Sequence, residues 1–167
     1  MVQTAVNQFQ VLGVPGEFAD DSPSRVTPYS CLANEAAQPT VGYVFTQGTN
    51  DNEAVVGGTG NYLGVLIGPK QYANHANLNA TLVVNPGTNG EICSMGHIFV
   101  KTATAAKPGY VAAYNNTTGA ISAYETAASI PASGYTQIPA RFIKVSAGAN
   151  QVAILELGSF EVAQSST

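Results

Sequence analysis

Charge is scarce in this sequence of 167 residues. Charged residues make up 10% of the chain, whereas a soluble domain typically has roughly 25%. Six Lys and Arg stand against ten Asp and Glu, so the formal net charge is −4 and the basic patch that neutralises nucleic-acid phosphates is missing. The sequence therefore predicts no nucleic-acid partner.

Long apolar runs are also missing. Apolar stretches such as 62–67 are interrupted by glycine and end within the length of one strand, well short of the about 18 residues that suggest a membrane-spanning helix. The first residues, Met1-Val2-Gln3-Thr4, carry neither the basic region nor the apolar core of a secretion signal. We therefore expect neither a membrane partner nor export by that route.

Cysteine is rare, with two residues in the whole chain. Cys31 and Cys93 lie far apart and show no metal-ligand spacing to each other or to His75 and His97. Two buried, reduced thiols are the expectation. A disulfide between them stays open, because it needs both a suitable geometry and an oxidising compartment.

No set of residues combines a nucleophile, a base and an electrostatic stabiliser. His75 has no carboxylate nearby in the sequence and His97 lies in a predicted strand beside Gly96, so both are interpreted as structural or surface residues. The glycines of 57–60 lack the spacings of phosphate-binding loops, and Asp20-Asp21 does not match a calcium loop. The sequence predicts no catalytic residue, no cofactor and no metal ion, and we do not expect an enzyme.

What the chain has in quantity is small, neutral polar residues beside an ordinary share of apolar ones. Hydrophobic residues make up 45%, and there are 17 glycines. Thr, Ser, Asn and Gln supply much of the remaining polar surface, and such residues are typical of turns and of the solvent faces of β-sheets. The length fits one domain that can bury its own core.

Residues 1–38 are predicted to form an extended arm. Pro15, Pro23 and Pro28 remove backbone donors and disfavour helix at each preceding residue. The sequence Val14-Pro15-Gly16-Glu17 predicts a tight turn, with proline at its second position and glycine at its third.

Three apolar side chains follow this turn at wide spacing: Phe18, Val26 and Tyr29. In one interpretation they pack on the surface of their own domain. In the other the arm reaches a neighbouring subunit, where an ordered extended segment buries area without disturbing the core. The sequence leaves both interpretations open.

Residues 39–167 are predicted to form a single β domain, because short β-branched or aromatic runs alternate there with turn clusters. The polar, glycine-rich stretch 46–60 argues against regular structure. Helix is limited to one or two short turns, at 70–79 or 123–129. About eight strands are predicted, at 41–45, 62–67, 80–84, 91–100, 110–114, 120–124, 141–146 and 151–157.

Two hairpins stand out among these strands. One joins 111–114 to 120–124 around a short glycine-containing turn, and the other joins 142–145 to 152–157.

Both faces of the last predicted strand are apolar. Val152 and Ile154 lie on one face, while Leu155 and Leu157 lie on the other. The strand is therefore expected to lie centrally or at an interface.

Four segments spread over most of the chain carry a resemblance to a known family. They are the motif Pro-Gly-Glu-Phe-Ala-Asp at 15–20 with Ser22-Pro23 and Arg25 after it, the strand at 61–67, the hairpin at 114–121 with its Thr118-Gly119 turn, and the closing hairpin at 145–157. In these features the sequence resembles the head cement, or decoration, proteins of tailed bacteriophages.

The resemblance implies an all-β fold, an antiparallel β-barrel or jelly-roll-like sandwich with an extended N-terminal arm. It implies a non-enzymatic virion protein that binds the outer surface of an icosahedral head at capsomer junctions and stabilises it against the pressure of packaged DNA. The expected partners are the major capsid protein and further copies of the chain, with a trimer favoured and a dimer possible. Synthesis is expected in the cytoplasm of the bacterial host.

Two sets of contact residues follow from combining the resemblance with the residue pattern. The arm would contact capsid protein or a neighbour, with Phe18 as an apolar anchor and Arg25 as a polar clamp, through Pro15, Phe18, Pro23, Arg25 and Tyr29. The last strand would form the oligomer interface, through Val152, Ile154, Leu155 and Leu157.

Two other functions remain open from the sequence. A carbohydrate- or receptor-binding virion module would also be β-rich and low in charge, and eight tyrosines could stack on sugars. The chain has no tryptophan, however, and sugar sites often rely on large aromatic faces. A small hydrolase would need a site assembled from His75, His97 and the few carboxylates.

Overall fold

The computed structural model describes residues 13–68, 83–146 and 148–158. Within these ranges the chain forms nine β-strands, no α-helix and one 3₁₀ turn at Ala127–Ser129. The strands are β1 (Arg25–Leu32), β2 (Val44–Gln47), β3 (Glu53–Val56), β4 (Tyr62–Leu66), β5 (Thr88–Thr102), β6 (Val111–Asn115), β7 (Ile121–Tyr124), β8 (Tyr135–Phe142) and β9 (Gln151–Leu157). The predicted all-β class is confirmed.

One strand, β5, belongs to two closed rings of hydrogen-bonded strands. The first ring runs β1, β3, β2, β4, β5 and back to β1. The second runs β5, β7, β6, β8, β9 and back to β5. The predicted β-barrel is therefore confirmed, and a second ring of strands is added to it. We call the two rings the first barrel and the second barrel.

β5 can serve both barrels because it is 15 residues long and changes partner in its middle. Residues 88–95 pair with β1, and residues 96–102 pair with β9. Gly96, at the changeover, has a φ of 134°, and the ladder between β1 and β5 shifts register beside it. A glycine and a register shift are the devices by which a strand commonly leaves one sheet for another.

The two barrels pack on each other through β2, β4 and β5, whose adjoining central residues are buried on both faces of the sheet. Phe45 and Leu66 belong to the apolar core of the first barrel. Val44, Val65 and Cys93 lie opposite one another across the three strands, and they belong to the core of the second barrel. These strands therefore form a wall between the two barrels, with one apolar core on each side of it.

The second barrel closes where β5 meets β7 through a single parallel bridge, between Thr102 and Ile121. Beyond the bridge, the Thr104 hydroxyl accepts a hydrogen bond from the Ala123 N–H and donates one to the Ala123 carbonyl, each at 2.7 Å. A side chain thereby satisfies the backbone groups that a longer β5 would have paired.

β1 lies within the segment that was expected to form an arm. The expected extended conformation is present, and the strand is paired antiparallel to β5 and parallel to β3. The Ser30 N–H donates to the Asn52 carbonyl, on the edge of β1 that faces away from β5. Pro28 lies two residues before Ser30, so its backbone nitrogen is on that same edge. The ladder between β1 and β5 therefore needs no donor from Pro28, and the proline is tolerated.

The prediction that 46–60 lacks regular structure is wrong. β3 pairs with β2, and its side chains Ala54 and Val56 are fully buried. In the turn between the strands, the Glu53 carboxylate accepts hydrogen bonds from the backbone N–H and the side-chain amide of Asn50, at 3.2 and 2.8 Å. The asparagine and glycine residues mark short turns around β3 rather than one long loop.

The strand predicted at 141–146 is also misplaced, because β8 ends at Phe142. The observed strand begins at Tyr135 and includes Pro139. In the structure, Pro139 lies where β8 and β6 shift register, between the pairs Val111–Arg141 and Ala113–Gln137. The missing N–H of a proline costs no ladder bond at such an irregularity, so the strand runs through it. β8 and β9 still form the predicted closing hairpin.

Most other predicted strands are present, with ends shifted by a few residues. These are β2, β4, β5, β9 and the hairpin of β6 with β7.

Two predictions fall at least partly outside the described residues. The predicted helical turn at 70–79 lies wholly outside them. Of the predicted strand at 80–84, residues 83 and 84 are described, and Val83 forms an isolated bridge with Thr40. The 3₁₀ turn lies within the other stretch, 123–129, where a short helical turn was expected.

The turn 115–119 between β6 and β7 fixes the second barrel against the first. The Val44 N–H donates to the Gly119 carbonyl at 2.9 Å, and the Gly58 N–H donates to the Asn116 carbonyl at 2.6 Å. Gly119 has a φ of 78°, and a Cβ there would lie 2.8 Å from the Val44 carbonyl oxygen. Only glycine fits this approach without displacing the backbone.

We expect Gly119→Ala to lower the free energy of unfolding by about 2–4 kcal/mol, because it adds a clash to a left-handed backbone. Gly109→Ala is the matched control, since Gly109 has a φ of 88° but no atom within 4 Å of the added Cβ. The control should lose about 1 kcal/mol. Urea denaturation measures both losses, and equal losses would contradict the tight docking of this turn.

Candidate interaction surface

The N-terminal segment begins its described course with the predicted turn. The Glu17 N–H donates to the Val14 carbonyl at 3.1 Å, and Gly16, at the third position, has a φ of 86°. Pro15 is half-buried. It packs closely on Gly42, because a Cβ added to Gly42 would lie 3.1 Å from the Cβ of Pro15. The predicted Val14-Pro15-Gly16-Glu17 turn is therefore confirmed.

After the turn, the segment pairs with β5. The Phe99 N–H donates to the Glu17 carbonyl at 2.9 Å, and the Ala19 N–H donates to the His97 carbonyl at 2.8 Å. Phe18 lies between these bonds and forms an isolated antiparallel bridge with Ile98. Its side chain is 39% exposed. A large aromatic ring is thus presented to solvent by a backbone that is fixed on both sides of it.

Asp20 attaches the next part of the segment to the same strand. Its carboxylate accepts hydrogen bonds from the Ser22 hydroxyl and, at 3.0 Å, from the Ser22 N–H. The other oxygen, Oδ2, lies 2.6 Å from Nδ1 of His97. The Ser22 hydroxyl and the His97 ring lower the pKa of Asp20 from 3.8 to about 2, so the carboxylate is charged over the whole pH range above that value.

His97 extends this contact into a polar row across the second barrel. His97 on β5 lies opposite Glu156 on β9, and Glu156 lies opposite Arg141 on β8. The His97 Nε2 lies 3.8 Å from Glu156 Oε1, and the Arg141 Nε donates to Glu156 Oε2 at 2.9 Å. The row therefore connects the N-terminal segment to three neighbouring strands. Sequence reasoning missed it, because the four groups are far apart in the chain and meet only through strand register.

The remaining predicted arm residues differ in exposure. Pro23 and Arg25 are exposed, and Tyr29 is half-buried against the core of the first barrel. Arg25 is the first residue of β1 and lies opposite Met95. Phe18, Pro23 and Arg25 are thus the solvent-facing members of the set, whereas Pro15 and Tyr29 also pack on the protein's own body.

The predicted oligomer residues on β9 divide between two faces. Leu155 and Leu157 are buried in the core of the second barrel, at 0% and 1% exposure. Val152 and Ile154 are half-buried on the opposite face. Of these two, Ile154 lies opposite Phe99 on β5. Only the Val152 and Ile154 side of β9 is directed away from the barrel interior.

The described residues show little that could carry catalysis or redox chemistry. Cys31 and Cys93 are buried and free, as expected. Burial raises the pKa of the Cys31 thiol to about 11 and raises that of Cys93 as well. No group of three or more His, Cys, Asp or Glu in the described ranges is placed to hold a metal ion. His75 lies outside those ranges.

The same part of the chain contains no helix that is long and apolar enough to span a membrane.

Known proteins similar to this chain include solved structures and the members of one protein family. No curated protein matches the chain. A chain from a structure described as "The capsid of Myoviridae Phage XM1" has a similar fold, with a TM-score of 0.62 and 16% sequence identity over 96% of this chain and 99% of that one. The family model described as "Structural cement protein (E217 gp24/Pam3 gp6)" matches residues 2–158. Since that match covers nearly the whole sequence, the chain belongs to the family of phage structural cement proteins.

Proposed function

We propose that this cement protein binds the outer surface of an icosahedral phage head at the junctions between capsomers and stabilises the head against the pressure of packaged DNA. The observation that carries this proposal is the exposed Phe18 ring on a segment that is hydrogen-bonded to β5 on either side of it. An aromatic side chain held in this way loses little conformational freedom on binding, which favours its use as an anchor.

The body of the protein suits a passive clamp. Each strand of the two barrels is paired on both sides over at least part of its length, so few edges are open to unwanted pairing. The low charge gives no electrostatic reason to seek DNA. Binding alone would then perform the function, and no reaction is needed.

Many weak contacts are sufficient for this task. When one molecule touches two capsomers, the second contact forms at the high effective concentration set by the first. A modest area per site, repeated over the head, therefore resists separation of the capsomers. The partner is the major capsid protein, and the site is on the outside of the virion.

We assign the capsid contacts to the solvent-facing part of the predicted arm. Phe18 is the anchor, Arg25 is the polar clamp and Pro23 lies between them, while Pro15 and Tyr29 hold this surface against the body. Within 1–38, the contacts are assigned mainly to 15–25, because the rest of β1 is part of the first barrel.

Self-association is assigned to the outer face of β9. Val152 and Ile154 remain for this role, since Leu155 and Leu157 pack inside their own barrel. A trimer is the favoured assembly, with a dimer as the alternative.

Phe18→Ala should weaken attachment to undecorated, expanded heads by about tenfold, the loss expected for a contact of moderate strength. The free energy of unfolding should fall by only about 1–2 kcal/mol, below the loss of a fully buried Phe, because the ring is already 39% exposed. Val145→Ala, at 41% exposure, is the control and should bind normally. Co-sedimentation measures binding, and calorimetry measures the melting temperature.

A large drop in melting temperature for Phe18→Ala would place the ring in the protein's own core and contradict its role as an anchor. If the wild-type protein does not bind heads at micromolar concentration, the cement role at this surface is wrong and a glycan-binding function becomes the one to test.

Ile154→Lys should dissociate the oligomer, because a charge placed on an apolar contact must be desolvated without a partner. Sedimentation equilibrium should show the mass of a single chain. Ser133→Lys, an exposed position between β7 and β8, is the control and should keep the wild-type mass. An unchanged mass for Ile154→Lys would contradict the assignment of β9 to the oligomer interface.

A further inference from the structure

Among the residues that the structure describes, the backbone N–H and C=O of Phe18 have no hydrogen-bond partner. In an antiparallel bridge such as that between Phe18 and Ile98, the bonds are made by the flanking residues, here Glu17 and Ala19. The N–H and C=O of Phe18 itself are therefore directed away from β5. Neither group has a hydrogen-bond partner among the described residues. We call this side of residues 17–19 the Phe18 edge.

The surroundings of the Phe18 edge are acidic. Glu17, Asp20 and Asp21 are all exposed, and the described segment before Arg25 contains no Lys or Arg. Asp20 is engaged by Ser22 and His97, whereas no hydrogen bond or ion pair of the Asp21 carboxylate occurs within the described ranges. A partner segment that carries positive charge would therefore complement this edge.

We propose that the Phe18 edge binds an extended, Lys- or Arg-bearing segment of the capsid protein, which adds to it as a further β-strand. This inference rests on the proposed function and names the chemistry of the partner at the same surface. The partner strand accepts a bond from the Phe18 N–H and donates one to the Phe18 carbonyl. Its basic side chains lie near Asp21 and Glu17, and its apolar side chains contact the Phe18 ring.

Two features favour strand addition over contact through side chains alone. The backbone on either side of Phe18 is held to β5 at Glu17 and Ala19, so a new strand would find a template that needs little further ordering. Main-chain bonds also place few demands on partner sequence, which suits repeated sites on a head. The ring then supplies the apolar part of the contact.

A second copy of this chain fits the edge less well. The chain has a net charge of −4 and only six Lys and Arg. Self-pairing of two Phe18 edges would bring Glu17 and Asp21 of one copy towards the same carboxylates of the other, which is repulsive. The acidic edge therefore selects a basic protein segment.

Hydrogen exchange, resolved to single amides, tests strand addition directly in the full-length protein, free and bound to undecorated, expanded heads. In the free protein the Phe18 amide should exchange quickly, while the Ala19 amide, bonded to the His97 carbonyl, should be protected. On bound molecules the Phe18 amide should slow by at least about tenfold, and the Ala19 amide is the internal reference. If the protein binds heads but the Phe18 amide does not slow, strand addition is wrong while the cement role stands. If the protein does not bind heads, both strand addition and the proposed cement role at this surface are wrong.

The charge of the partner is tested by Asp21→Asn, with Asp51→Asn as the control at another exposed aspartate. Asp21→Asn should weaken head binding about three- to fivefold at low ionic strength, and by less than about twofold in 0.5 M salt, because exposed charges are screened. Asp51→Asn should have no effect at either concentration. Equal head binding by Asp21→Asn and Asp51→Asn at low salt would contradict the proposal that the partner segment carries Lys or Arg.

Discussion

The pairing of β5 with both barrels is the constraint on which the rest of the structure depends. Residues 88–95 close the first barrel through β1, and 96–102 close the second through β9. The same strand also pairs with β4 and β7, and its middle holds residues 16–19. The chain has few charges, and its described residues contain no metal cluster. Backbone pairing around β5 therefore organises the fold, and an apolar core lies on each side of the wall formed by β2, β4 and β5.

This arrangement gives a cement protein a rigid body. The barrels resist deformation because their strands are closed into rings, and they expose little unpaired backbone. The exception is the Phe18 edge, where an aromatic ring and peptide groups without a partner in the described ranges lie on a segment fixed to β5. Asp20, held by Ser22 and His97, keeps this segment in place, and the polar row through Glu156 to Arg141 joins it to the far side of the second barrel.

The sequence revealed those parts of the fold that depend on local patterns. Alternating apolar residues predicted β4, β9 and the hairpin of β6 with β7, and the Pro-Gly pair predicted the turn at 14–17. The sequence did not reveal β3, which lies among polar turn residues, or most of β8, which contains Pro139. Both strands depend on pairing with distant parts of the chain, and local sequence patterns do not show such pairing. The same limit applies to the candidate site. Phe18 could be singled out as an apolar residue in a polar segment, but the contact of Asp20 with His97 exists only because the N-terminal segment lies along β5.

The most direct test of this account is native-state hydrogen exchange over increasing urea, with amides of β3 and β6 compared. These strands lie in different barrels and neither pairs with β5. If β5 makes the barrels one cooperative unit, the slowest amides of both strands should exchange with the same free energy of opening, equal to that of global unfolding. If one barrel opens at a clearly lower free energy while the other stays closed, the barrels are independent units and the central role of β5 is contradicted.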